Sequence, residues 1–363
     1  MSHLLCIETA TPRYLHQQKD LQAYYASTVP EDDRRTRRRI NAVSRQSGIS
    51  QRYSVLSDFS GTDDTALFTH GNTGTGAPGI TSRMNVFREE ALSLSVEAVL
   101  KIARFEEVRE KITHIITVTC TGLFAPGLDI GLSKVLQLRR TVQRSSINFM
   151  GCNAAILALK QAAHICGSEP GSLVLVVCTE LCTLHFQQDY TDDYITSNML
   201  FADGSAAALI GEPRPEFSGI YRPMRLSRFH SLLLHEGHDH MAWQLSETGF
   251  IMNLSAYVSG MLNTNIDGLL EENGVDRREI RHWAIHPGGR RILDDFCTTM
   301  TLSRDELISS YNVLRDYGNM SSATILFVLK RLPGDRNIAV GEKIYSAAFG
   351  PGLSIESAIL EYV

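Results

Sequence analysis

Three short segments carry residue types and spacings capable of chemistry. In Met150-Gly151-Cys152-Asn153-Ala154-Ala155 a thiol follows a glycine and precedes a run of Ala, Leu and Ile. The glycine permits a tight backbone path, and the run predicts a buried helix over 153–165 that begins beside Cys152. Unpaired backbone N–H groups at a helix start favour the thiolate, the nucleophilic form of sulfur. A small core cysteine is the competing reading. In Trp283-Ala284-Ile285-His286-Pro287-Gly288-Gly289 a histidine closes an apolar strand. Strand ends of α/β sheets gather ligand-facing side chains, although a core histidine satisfied by backbone fits the same pattern. In Tyr317-Gly318-Asn319-Met320-Ser321-Ser322-Ala323 an asparagine precedes another helical run, as a cap or as an amide donor.

The elements that must position these residues alternate. Short β-branched or apolar runs predict strands at 115–119, 173–177, 206–210, 282–286, 343–349 and 354–360. Helical spacing appears at 92–103, 153–165 and 321–332. A repeat is visible in the spacing. Cys152 stands 33 residues past Thr119, where one strand ends, and Asn319 stands 33 past His286, where another ends. The next strands follow 21 and 24 residues later. Two related α/β halves meeting at a shared centre are expected, 1–213 with the cysteine and 214–363 with the histidine and asparagine. The junction falls at Pro213-Arg214-Pro215. If the halves face each other, Cys152, His286 and Asn319 converge on one cavity.

Composition removes several classes of function. A chain of 363 residues with 43% hydrophobic and 21% charged residues can bury a large core, which excludes a disordered or collagenous protein. A net charge of −5 is a poor match for phosphate backbones, so no nucleic-acid partner is expected. No signal peptide and no membrane span are expected. Seven scattered cysteines read as reduced thiols in a cytoplasm. His235-Glu236-Gly237-His238-Asp239-His240 lacks the helical metal-binding pattern and reads as a polar loop. Cys178 and Cys182 lack zinc or redox spacing. The basic run Arg34-Arg35-Thr36-Arg37-Arg38-Arg39, with Arg45 and Arg52 beyond, reads as a solvated helix face or as a landing site for the phosphates of coenzyme A.

Gly151-Cys152, His286-Pro287-Gly288-Gly289, Gly318-Asn319-Met320-Ser321-Ser322 and Phe349-Gly350-Pro351-Gly352-Leu353 together resemble the motif set of type III polyketide synthases, the chalcone synthase-like family of the thiolase fold. The likeness runs from about Cys120 to Val363. It implies an α/β fold of two pseudo-repeated αβαβα halves forming a layered core, and a catalytic triad falling on Cys152, His286 and Asn319. It implies an aromatic gate at Phe201, in Leu200-Phe201-Ala202-Asp203-Gly204, and substrate contacts from Ser321, Gly350, Pro351 and Gly352. Arg45 and Arg52 become candidates for coenzyme A. The implied reaction joins an acyl-CoA starter to malonyl-CoA by repeated decarboxylative condensation, then cyclises the chain. A protonated His286 is expected to stabilise the Cys152 thiolate, and no metal or cofactor is required. A homodimer is implied. Relative to plant members, the second gate falls on Met252, two cavity threonines become Cys182 and His185, and a crossing methionine becomes Ala125. Flexible Met252 is expected to open a passage for an aliphatic chain, giving an alkylpyrone or alkylresorcinol. A 3-oxoacyl-[acyl-carrier-protein] synthase III-like condensing enzyme shares the triad and is the alternative.

Overall fold

A computed structural model describes residues 2–60, 67–68, 78–254 and 274–363, with single positions between 258 and 270. The first half contributes β1 (His3–Ala10), β2 (Tyr14–Gln17), β3 (Gln51–Ser54), β4 (His114–Thr119), β5 (Gln143–Asn148), β6 (Leu173–Leu181) and β7 (Asp203–Gly211). The second contributes β8 (Met224–Leu233), β9 (Met241–Ser246), β10 (Gly249–Leu254), β11 (Ile280–Ile285), β12 (Lys343–Gly350) and β13 (Ser354–Tyr362). All six strands expected from the sequence are present.

The repeat is a matter of topology as well as spacing. The first half has the strand order β1-β7-β6-β4-β5 and the second β8-β13-β12-β11. In both, the penultimate strand runs parallel to its inner neighbour, β6 to β4 and β12 to β11, and antiparallel to the last strand. The two sheets meet edge to edge where His3 and Leu4 of β1 pair with Arg225 and Met224 of β8.

Alternation along the strands builds the layers. On β6, Leu173, Leu175 and Val177 face an outer core, while Val174, Val176 and Cys178 face the centre. On β12, Tyr345, Ala347 and Phe349 face outward and Ile344 and Ala348 inward. A strand covered on both faces reads as a continuous apolar run, which is why these segments were legible. Helices Ala154–Ser168 and Thr324–Asp335 fill the central layer, each touching strands of both halves. Ala154, Ala155, Ala158 and Ala162 let the sheets approach closely. Helix Ile80–Leu100 covers the outside of the first sheet, with Phe87, Ala91, Leu94 and Ala98 buried. Helices Arg290–Thr299 and Ile308–Tyr317 cover the second, packing Leu293, Phe296 and Leu314 around Trp283. The result is five alternating layers with the sheets' parallel strands ending on one side.

Candidate active site

Cys152 sits past the end of β5, just ahead of the central helix. Gly151 before it has φ +90°, and an added Cβ would lie 2.0 Å from Pro351 Cδ. Only glycine meets both demands, so the Gly350-Pro351-Gly352 turn at the end of β12 is pressed against the residue that aims the thiol. The Gly151 N–H donates to Cys120 Sγ at 3.0 Å. Cys152 is 2% exposed, His286 1% and Asn319 2%. His286 lies at the end of β11, its N–H donating to Ala347 O of β12 at 2.8 Å. Thus Cys152 follows the parallel strands of one half and His286 those of the other, and the ends meet where Pro351 contacts Gly151.

Burial pushes the Cys152 thiol up to about 12; hydrogen bonding from Ser321 and Asn319 opposes this, while the Glu180 charge adds to it. Burial likewise takes His286 down to about 3. Burial thus disfavours the charged form of each group taken alone. Both His286 ring nitrogens are buried without a hydrogen-bond partner among the described residues.

Asn319 is oriented by its own loop. Its Oδ1 accepts from Ser321 N at 2.8 Å, so the amide N–H groups face away from that contact and toward the cysteine. Ser321 takes a left-handed φ of +47° to make this bond, an arrangement that costs a non-glycine residue energy. The backbone of Asn319 pairs with the gate segment: its N–H donates to Leu200 O at 3.1 Å, and its C=O accepts from Ala202 N at 2.8 Å. The backbone of Phe201 is thereby fixed beside Asn319.

Arg52 does not reach solvent and is withdrawn as a coenzyme A contact. Only 2% exposed, it donates to Gln18 Oε1 at 2.9 Å, to Asn198 O at 2.9 Å and to Phe201 O. It holds the gate loop from below. Arg45 is exposed on helix Arg34–Gln46, beside a cavity of about 310 Å³ lined by Gln46, Ser47, Gly288, Gly289, Arg290 and Arg291.

The interior cavities are small. One of about 20 Å³ is walled by Cys120, Gly151, Cys152, Ser321 and Pro351. A second, of about 30 Å³, is lined by Thr183, His185, Phe186 and Phe250. Cys182, Phe201, Trp243 and Met252 belong to both walls. Met252 pairs across the β9–β10 hairpin with Trp243, and both side chains line each of these cavities. His185 adds no free polar group, because Nε2 bonds Thr121 O at 2.8 Å and Nδ1 accepts from Phe250 N at 3.0 Å.

Sequence reasoning missed Trp243 and Glu180. Glu180, wholly buried, accepts from Cys120 N at 2.9 Å, Thr121 Oγ1 at 2.8 Å and Thr119 Oγ1 at 3.3 Å, and from Ser322 across the interface of the halves. Its signal was a single charge closing the otherwise uncharged β6.

Two repeated layered halves, with Cys152 and the turned Asn319 carboxamide at their seam, give the layout of the thiolase fold. The comparisons with known proteins agree. Residues 1–214 match the chalcone and stilbene synthase N-terminal domain and residues 226–363 the C-terminal domain, so the chain belongs to that family. It is 30% identical over 345 residues to probable polyketide synthase 1 of Dictyostelium discoideum, covering 92% of this chain but spanning only 10% of that relative's length. Among solved structures, PKS-I of the brown alga Ectocarpus siliculosus superposes with a TM-score of 0.90 at 27% identity, covering 100% of this chain and 98% of that one. The C-terminal type III polyketide synthase domain of Steely1, a type I/III hybrid from Dictyostelium, gives 0.87 at 27%, covering 100% and 99%. The fold is also that of 1,3,6,8-tetrahydroxynaphthalene synthase from Streptomyces coelicolor A3(2), with a TM-score of 0.87 at 24% identity, covering 100% and 99%.

Proposed function

We propose that this protein is a type III polyketide synthase that condenses malonyl-CoA onto an acyl-CoA starter. The observation that carries the reading is the Asn319 amide, locked with its N–H groups toward Cys152 in a dry chamber. His286 takes the sulfur's proton as Cys152 attacks the thioester carbonyl. The carbon–sulfur bond to coenzyme A breaks, and the coenzyme A sulfur leaves with the proton from His286. Malonyl-CoA then loses carbon dioxide, and the electron pair of the broken bond becomes an enolate. His286 and Asn319 donate hydrogen bonds to the enolate oxygen, where the charge gathers. The enolate carbon attacks the acyl carbonyl on Cys152; the bond from that carbon to the Cys152 sulfur breaks, leaving the thiolate and the extended chain on coenzyme A, and the thiolate takes the chain back with release of coenzyme A. Repetition lengthens the chain, and its ketones close to a pyrone or resorcinol ring.

The cavity at Gly288–Arg291 is the proposed mouth, with Arg45 near the coenzyme A phosphates. A homodimer is proposed through the exposed edge strand β5. A reducing cytoplasm suits seven free thiols. The test is intact-protein mass spectrometry with acetyl-CoA, followed by malonyl-CoA or malonyl carrier protein. Acylation lost in Cys152→Ala, with products from malonyl-CoA alone, is the expected result. Undiminished chain extension in that variant, or an absolute need for the carrier protein, overturns the proposal.

A further inference from the structure

We infer that the groove walled by the linker between the two halves, residues 213–223, binds an aliphatic carboxylate, with its tail on the linker's apolar wall and its charge on Arg214 and Arg222. The groove has a volume of about 550 Å³. Ligand sites occupy roughly 300–1,000 Å³ and combine apolar walls with a few converging polar groups. It is separate from the catalytic chamber. β7 starts at Asp203, beside the gate segment, and ends at Gly211, just before the linker. Its 9 extended residues put those two ends about 30 Å apart. The groove opens beside Leu5 of β1, four places in the sheet from the edge strand β5 proposed for dimerisation.

The wall is fixed by the protein's own contacts. Pro213, Pro215 and Pro223 lock their φ angles and supply no N–H, so this stretch leaves the sheet. It folds into a short turn, with Ser218 N donating to Pro215 O at 3.1 Å and Tyr221 N to Phe217 O at 3.2 Å. Phe217 is buried in the outer core of the first half. Tyr221 Oη donates to Glu8 Oε1 and accepts from Ala103 N, both at 2.9 Å. Ile220, 44% exposed, and Val363, 39% exposed, then present apolar surface to water in the groove. An aliphatic tail lying there takes that surface out of water.

The charges select the head group. Arg214 Nη2 donates to Gly171 O at 3.3 Å, and its Nε is buried without a partner among the described residues. Arg222 Nη2 donates to Ile338 O at 3.2 Å, and its guanidinium lies 4.7 Å over the Tyr362 ring. Carbonyls and a ring orient these groups but do not neutralise them. The linker's own carboxylate, Glu216, is engaged by Lys111. Two guanidiniums thus border an apolar groove, and the fork of donors on each matches the two oxygens of a carboxylate.

The experiment titrates the protein by calorimetry with decanoate and with decanol, which keeps the tail and lacks the charge. A diazirine-bearing decanoate then marks the site, and peptide mass spectrometry locates the adduct. Decanoate is expected to bind about tenfold or more tightly than decanol, with adducts on residues 213–223. Arg214→Gln combined with Arg222→Gln should weaken decanoate about tenfold or more, and leave decanol binding and acetyl loading of Cys152 unchanged. If the arginine pair proves necessary for folding, Ile220→Glu decides the matter, because it sets a carboxylate on the exposed wall and should weaken decanoate as much. Absence of decanoate binding overturns the inference, as do equal affinity for acid and alcohol, adducts confined to peptides of the Cys152 chamber, and undiminished decanoate binding in the folded variants.

Discussion

Substituting Gly151 by alanine tests how the sulfur is placed. Two costs act at this position. At φ +90° a side chain costs about 1–2 kcal/mol, and forcing extra volume into a packed site costs about 1–3 kcal/mol. Their sum is about 2–5 kcal/mol. The contact cost has a positional consequence as well. The new carbon would lie 2.0 Å from Pro351 Cδ, where ordinary contacts lie at 3.4–4 Å. Relief moves the Pro351 turn or the Cys152 backbone by about 1.5 Å, and a misplacement of about 1 Å at a reacting centre costs on the order of 10²-fold. Two neighbours separate the causes. Gly350→Ala brings contact alone, its carbon 2.5 Å from Asn153 Nδ2. Gly352→Ala brings backbone strain alone, at φ +100° with open space around it. Acetyl loading of Cys152, followed by mass spectrometry beside a denaturant midpoint, should fall about 10²-fold or more in Gly151→Ala, less in Gly350→Ala, and little in Gly352→Ala. Gly151→Ala loading within threefold of the natural rate would refute the reasoning, because the close approach would then not be what positions the thiol.

Asn319→Asp keeps the acceptor for Ser321 N but loses the amide donors, so condensation should fall about 10²–10³-fold in a product-formation assay. His286 and His185 are both buried to about 3, whereas unfolded imidazole titrates near 6.5; the unfolded chain therefore gains protons first as pH falls. Each should remove about 1.4 kcal/mol of stability per pH unit between 6.5 and 3, and His185→Gln should flatten that limb in urea unfolding series. Arg45→Ala should raise KM for CoA thioesters several-fold, with the effect shrinking at high salt. Arg52→Ala should instead lower the denaturant midpoint, since it strips donors from the Asn198 and Phe201 carbonyls.

What the sequence disclosed follows from how each residue is surrounded. β4, β6 and β12 are apolar on both faces, so their runs stand out. β5 escaped notice because it is an edge strand, Gln143–Asn148, exposed along much of its length and polar in composition. Cys152, His286 and Asn319 stand out in the sequence through three motifs at repeated spacing. The walls do not: Trp243 gains its role from Cys120 O, far along the chain and met only after folding. Arg52 misled for the same reason. Its basic neighbourhood pointed to phosphate, while its partners are carbonyls of the gate loop and a glutamine, brought together by β3 and the helix that ends at Leu200. Charge in a sequence says what a side chain can bind, and burial decides which partner it finds.

The matched strand orders carry an ancestral implication. Cys152 and Asn319 stand at corresponding places ahead of the two central helices. Two identical copies of one half, associated symmetrically, must put the same side chain at both places, a thiol opposite a thiol or an amide opposite an amide. Within a single polypeptide the two places are free to differ, and here one holds a thiol and the other an amide. The seam thus sets two unlike side chains at matching places on a scaffold that is otherwise nearly twofold.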